Sequence, residues 1–175
     1  MTRNASPADA GLPPTPAAAA AIALTAGEFC TRSVVFTDRG MRLDTAARLM
    51  RTRHVGSLVV VEERSPGERI VVGMLTDRDL ATAVVALQRD PGAFCVGDIM
   101  SADVVTVREQ DSLAHVLAVM RRRRVRRVPV TGERGELAGI VSVDDLLGVL
   151  TGQLQALAAA VGATQRQDAA AAMGG

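Results

Sequence analysis

The chain has 175 residues, 48% of them hydrophobic, with three Phe and neither Trp nor Tyr, so any core must be aliphatic. Twenty basic residues stand against nineteen acidic ones, and a net charge of +1 gives no bulk electrostatic argument for nucleic acid or an anionic membrane. Every basic residue is Arg, which excludes a P-loop lysine, a Schiff-base lysine and a lysine general base.

In chain order, residues 1–22 read as a disordered Pro- and Ala-rich tail with little to bury. Its apolar stretch AAAAAIAL (17–24) has only Arg3 before it as positive charge, which argues against a secretion signal. No apolar run reaches the length of a membrane span, so a cytoplasmic protein with no membrane partner is expected. A short strand follows at 34–36, then a helix with Leu43, Ala46, Ala47 and Met50 on one face. Two β-branched runs, 58–61 and 70–75, flank the polar loop EERSPGER (62–69), and GMLTDRDL (73–80) leads into a further helix.

The chain then says this again. At a shift of 70, AGEFCTRSVVFT (26–37) falls on VGDIMSADVVTV (96–107), and LDTAARLMRTRHVGSLVV (43–60) falls on LAHVLAVMRRRRVRRVPV (113–130). After the polar loop the shift becomes 66, where GIVSVDDL (139–146) meets GMLTDRDL. The second copy therefore predicts a strand at 104–107 and a helix carrying Leu113, Val116, Leu117 and Met120, capped by Asp111 or Ser112. Strands at 128–130 and 137–141 complete it. The result is a duplicated β-α-β-β-α unit, with repeat 1 over 23–90 and repeat 2 over 91–150. Neither copy is large enough to bury a core alone, so the two must pack together. Beyond them, Leu147, Leu150, Leu154, Leu157 and Val161 follow an alternating spacing of three and four. This predicts a helical extension over 151–163, weakened by Gly148 and Gly152, that packs on its own module or on another chain. Residues 164–175 are expected to be a second disordered tail.

Three features bear on chemistry. Gly73 and Gly139 lie in strands, where a missing Cβ admits a ligand or a second backbone. Thr76 and Ser142 stand at strand-to-helix junctions with Asp79 and Asp145 three residues on. That spacing is a capping box, and equally a cleft-facing carboxylate able to bind vicinal hydroxyls beside a phosphate-binding helix end. The run RRRRVRR (121–127) reads as a solvated helix end, a phosphate contact or a nucleic-acid patch, the last disfavoured because no aromatics accompany it for stacking. Cys30, Cys95, His54 and His115 form no metal-ligand spacing, so free thiols and no metal are expected. No nucleophile motif or paired carboxylate supports catalysis.

The order of these motifs, VGDIM before a strand, RVRRVPV on the next, and GxxTxxD or GxxSxxD into the last helix, resembles a tandem pair of CBS domains, a Bateman module. The resemblance spans about 26–150 and implies two α/β repeats packed with pseudo-two-fold symmetry. It further implies a non-catalytic regulatory module that requires no cofactor. AMP, ADP, ATP or S-adenosylmethionine would bind in clefts between the repeats. In the first cleft Thr76 and Asp79 would meet ribose and phosphate, completed by Val125, Arg126 and Arg127; in the second, Ser142 and Asp145 would be completed by Val55, Gly56 and Ser57. The arginines predict that phosphorylated ligands prefer the first cleft, with Arg78 as a further phosphate contact. His54 and Asp144 would flank the second cleft, and Val59, in place of Pro129, predicts a looser turn there. A homodimer, with output through an effector protein, is the implied assembly. The alternative is a structural dimerisation module with degenerate, ligand-free clefts.

Overall fold

The structure, a computed structural model, describes residues 24–173, with side chains as far as Ala160. The tail expected at 1–22 lies outside the described residues. Two three-stranded sheets form. In the first, β1 (Phe36–Thr37) runs parallel to β2 (Ser57–Ser65), which pairs antiparallel with β3 (Glu68–Thr76). The second repeats that order with β4 (Val107–Arg108), β5 (Arg127–Thr131) and β6 (Leu137–Ser142). The helices are α1 (Ala26–Phe29), α2 (Leu43–Arg53), α3 (Asp77–Leu80), α4 (Val96–Ile99), α5 (Leu113–Arg123) and α6 (Val143–Met173). The duplicated α/β architecture read from the sequence is the architecture of the molecule.

Helical periodicity decides which faces are covered. Leu43, Ala46 and Met50 of α2 are buried, as are Leu113, Val116 and Met120 of α5. The Ser112 hydroxyl accepts the His115 N–H at 3.2 Å and caps α5. Both helices end alike. His54 (φ 53) and Arg124 (φ 56) adopt the left-handed conformation, and the next N–H groups, of Val55 and Val125, return to the Met50 and Met120 carbonyls at 3.0 and 3.1 Å. This is a Schellman closure, and it throws the chain from helix into strand at Val55 and Val125.

The repeats exchange their lead-in segments. Ala26 of α1 is fully buried in the core of repeat 2 with Val107, Leu113, Val116 and Val128. Val96 of α4 is fully buried in the core of repeat 1 with Leu43, Ala46, Leu58 and Leu75. Matching backbone bonds fix both: Ala26 N–H to Asp111 O at 2.7 Å and Gly27 N–H to Glu109 O at 2.8 Å, against Val96 to Met41 at 2.8 Å and Gly97 to Arg39 at 2.9 Å. Further along, Thr31 and Ile140 exchange two N–H···O bonds at 2.9 and 3.0 Å, and Ser101 and Met74 exchange two at 2.9 and 3.0 Å. The glycines next to these pairs are thereby explained. A Cβ on Gly139 would stand 2.5 Å from Cys30 Sγ and 3.2 Å from the Thr31 carbonyl; one on Gly73 would stand 2.7 Å from Met100 Sδ and 3.1 Å from the Ser101 carbonyl. The other repeat's lead-in, through a sulfur side chain and the carbonyl that follows it, occupies the space each side chain would need.

The structure departs from the sequence reading at several places. EERSPGER is not a loop: β2 and β3 continue as a ladder through Glu63–Arg69 and turn at Gly67, which takes φ +85. Polarity misleads there because an outer hairpin has little to bury. Val59 is the third residue of β2, fully buried, and donates its N–H to Val35 O at 3.3 Å, a bond Pro129 cannot make, so it belongs to the paired strand and not to the turn. The C-terminal helix starts at Val143 rather than as a separate element at 151, and its backbone stays helical through 164–173, where a disordered tail was expected. Four of the ten residues there are alanine, the strongest helix former. Leu147, Leu150, Leu154 and Leu157 of this helix are exposed, so their row does not pack on its own module.

Alanine at Gly139 should cost about 1–3 kcal/mol through overpacking of the exchanged strand. Alanine at Gly148, where nothing lies within 4 Å of the new methyl, should instead gain about 0.5–1 kcal/mol of helix stability. Urea unfolding of the two variants should therefore move in opposite directions.

Candidate functional site

Each exchanged lead-in crosses the end of the other repeat's sheet and walls a cleft there. The first cleft, ≈ 300 Å³, has a floor of Met74 and Thr76 from β3. Ser101, Asp103, Val104 and Val105 from the lead-in of repeat 2 form one side, and Arg123, Val125 and Arg127 the other. The second cleft, ≈ 230 Å³, places Ile140, Ser142 and Asp145 opposite Thr31, Ser33, Val34 and Val35. His54, Val55, Gly56 and Ser57 complete it, and Arg127 reaches it as well. Under the same shifts of 66 and 70, Met74, Thr76, Ser101, Asp103, Val104, Val105 and Val125 fall on Ile140, Ser142, Thr31, Ser33, Val34, Val35 and Val55. The two are one cleft built twice.

At the mouth of each cleft a strand becomes a helix. Asp145 Oδ2 accepts from the Ser142 N–H at 2.7 Å and from its hydroxyl at 2.6 Å, while the Ser142 hydroxyl accepts the Asp145 N–H at 3.2 Å. Thr76 and Asp79 repeat this at 2.8, 2.7 and 3.2 Å. Both capping boxes are formed, and in each a single carboxylate oxygen, Oδ2, takes both bonds. A carboxylate has two oxygens and about four acceptor positions, so capping and ligand binding do not exclude one another.

The sequence-predicted residues divide unequally. Ser142, Asp145, Val55, Gly56 and Ser57 all line the second cleft, together with His54. Thr76, Val125 and Arg127 line the first, but Asp79 sits half-buried behind Thr76 and is not part of the wall. Arg126 is exposed and lines neither cleft; its carbonyl accepts the Val143 N–H at 3.0 Å, as the Gly56 carbonyl accepts that of Asp77 at 3.1 Å. Its contribution is made by the backbone at the start of α6. Arg78 and Asp144 are likewise exposed and outside both walls. Within the run 121–127 that the sequence offers as a phosphate contact, the further arginine lining the first cleft is Arg123, in the last turn of α5. The lead-in residues were passed over, although the duplication pairs them as 31–35 with 101–105.

Charge separates the clefts. Arg123 and Arg127 face the first with Asp103 as the one acid; the second has Arg127, Asp145 and His54. Beneath the second, Cys30 is half-buried, and burial pushes its thiol above the ordinary cysteine range while the nearby Arg32 pulls it down. A thiol held protonated is a packing group rather than a nucleophile. Among the described residues no cluster of three or more His, Cys, Asp or Glu side chains could hold a metal ion, and no helix is long and apolar enough to cross a membrane.

Comparison with known proteins agrees with the duplicated fold. The family described as CBS domain matches residues 26–86 and 96–152. An uncharacterised protein of Methanopyrus kandleri is 33% identical over 129 residues, covering 72% of this chain and 62% of the relative's own length. The CBS domain-containing protein YhcV of Bacillus subtilis is 34% identical over 116 residues, covering 66% of this chain and 78% of the relative. Among solved structures, the cytosolic domain of the Mg2+ channel MgtE in complex with ATP superposes with a TM-score of 0.60 at 32% identity, over 71% of this chain and 48% of that one.

Because Ser142 and Asp145 cap each other, alanine at either should cost about 0.5–2 kcal/mol. The double variant should cost less than the sum. Denaturant unfolding of the full cycle measures this; strict additivity would mean that the two side chains do not act as one unit.

Proposed function

The chain belongs to the CBS-domain family, and on that premise we propose that it is a non-catalytic regulatory module sensing adenine nucleotides or related adenosyl ligands between its repeats. The ligand class is AMP, ADP, ATP or S-adenosylmethionine. The observation that carries this reading is the repeated cleft, which combines an aliphatic wall, a hydroxyl at a helix start and an arginine, with the paired carboxylate lining the second cleft. A purine fits between the aliphatic groups: Met74, Val104, Val105 and Val125 in one cleft, Ile140, Val34, Val35 and Val55 in the other. Asp145 offers its second carboxylate oxygen to a ribose diol, and Thr76 and Ser142 offer hydroxyls. Phosphate goes to Arg123 and Arg127, which makes the first cleft the preferred one for a phosphorylated ligand. Asp79 joins that cleft only if the first turn of α3 rotates toward it. The ATP bound by the MgtE domain supports the ligand class.

Output in this reading goes through an effector protein and a homodimer, in the cytoplasm, with no nucleic acid or membrane partner. Binding that touches both repeats shifts their packing, and the partner reads that shift. A second reading, a structural dimerisation module with empty clefts, is favoured by one observation. Leu147 and Leu154 are 56% and 67% exposed on a helix with no charged residue from Leu146 to Gln165. Such a face meets its own copy without like-charge repulsion.

Thermal-shift measurements with AMP, ADP, ATP and S-adenosylmethionine separate the two readings. A true ligand at a hundredfold excess over its Kd stabilises the fold by about 2.7 kcal/mol; no shift with any at millimolar concentration would leave the structural reading. Arg123→Ala should weaken AMP more than Asp145→Ala does. The reverse order would move the phosphate to the second cleft.

A further inference from the structure

The two clefts are not independent, because one side chain belongs to both. Arg127 lines the first cleft beside Thr76 and Val125, and the second beside Gly56, Ser57 and Ser142. Its counterpart in the duplication is Ser57, which lines the second cleft only, so the duplication does not give Arg127 a twin that reaches both clefts. The geometry accounts for the double reach. Arg127 opens β5 opposite Ser142, while Ser57 opens β2 opposite Thr76, so the two residues hold equivalent places at the strand-to-helix ends of their sheets. From there the guanidinium lies over Gly56: a Cβ on that glycine would be 3.8 Å from Arg127 Nη1 and 3.0 Å from Asp77 Oδ2. Arg127 is exposed, and among the described residues its side chain makes no hydrogen bond or ion pair. Among the described residues, no such bond commits it to either side.

We propose that Arg127 is a shared phosphate-binding residue through which the two clefts compete, so that one phosphorylated nucleotide per chain binds tightly and the second binds weakly. The inference rests on the nucleotide-sensing reading. One guanidinium forms its paired, charge-assisted bonds to one phosphate at a time. The first ligand to arrive takes it, and the cleft left without it keeps only its local groups: Arg123 and Asp103 where that is the first cleft, His54 and Asp145 where it is the second. Two anions approaching one guanidinium also repel each other. The coupling is electrostatic, so it vanishes for a ligand with no phosphate. In function it makes the module a one-nucleotide device whose occupied side depends on which ligand fits which cleft.

Isothermal titration of the full chain with AMP and, separately, with adenosine tests this. AMP is expected to bind in two steps whose affinities differ by on the order of tenfold to a hundredfold, the range lost with a hydrogen bond to a charged group. Adenosine is expected to show no such separation. In Arg127→Ser, which installs the residue the fold already accepts at the equivalent position, the tight AMP step should weaken and the two steps should converge. Circular dichroism and thermal unfolding confirm that this variant is folded, and Arg127→Gln provides a second variant that keeps the length of the side chain. Two equal AMP sites in the native protein, or an unchanged ratio of steps in both variants, would overturn the shared-arginine proposal while leaving nucleotide binding intact. Binding of neither AMP nor adenosine would overturn the sensing reading, and this proposal with it.

Discussion

Each repeat lacks one element of its own core and takes it from the other. The lead-in helix of repeat 1 is buried against repeat 2, that of repeat 2 is buried against repeat 1, and the same backbone bonds recur in both places. This exchange is a topological constraint as much as an energetic one. Neither three-stranded sheet closes a core without a helix whose sequence lies across the duplication boundary. The apolar positions Ala26 and Val96 are fully buried only in the assembled pair. Small units that cannot bury enough surface alone commonly fold by stacking against a neighbour, and here the neighbour is the second copy in the same chain.

The clefts are a consequence of that exchange. Thr31 and Ser101 pair with Ile140 and Met74 on the opposite repeat, which forces the following residues to run alongside a foreign strand. Valines at 34–35 and 104–105 are thus presented to a helix start they do not belong to. Any molecule filling the gap touches both repeats at once. That is the physical requirement for a ligand to bias how the repeats pack, because an equilibrium shifts only by a ligand's differential affinity for its states. Regulation in this fold needs no moving lid; it needs two halves held together by contacts that a ligand can add to.

The duplication was legible from the sequence because it is written in apolar spacing, and burial enforces that spacing. Gly73 and Gly139 were legible as sites of close approach, yet which partner approached them was not: local sequence carries no record of the strand lying across it. The capping pairs Thr76–Asp79 and Ser142–Asp145 were correctly placed, since hydroxyl and acid three apart interact locally. Arg126 and Arg123 show the limit. Arg123 ends a helix and Arg126 follows the Schellman turn that redirects the chain, so a run of arginines does not declare which one faces a cleft. EERSPGER failed for a different reason: composition reports burial, and an exposed ladder is polar too.

The central claim is that a nucleotide binds between the repeats, against the exchanged segments. Hydrogen exchange of the backbone amides with and without AMP tests it most directly. The account predicts slowed exchange at Ser101 and Met74, or at Thr31 and Ile140, the four amides that bond across the repeats. Exchange unchanged at all four while AMP is bound, or protection confined to α6, would contradict it.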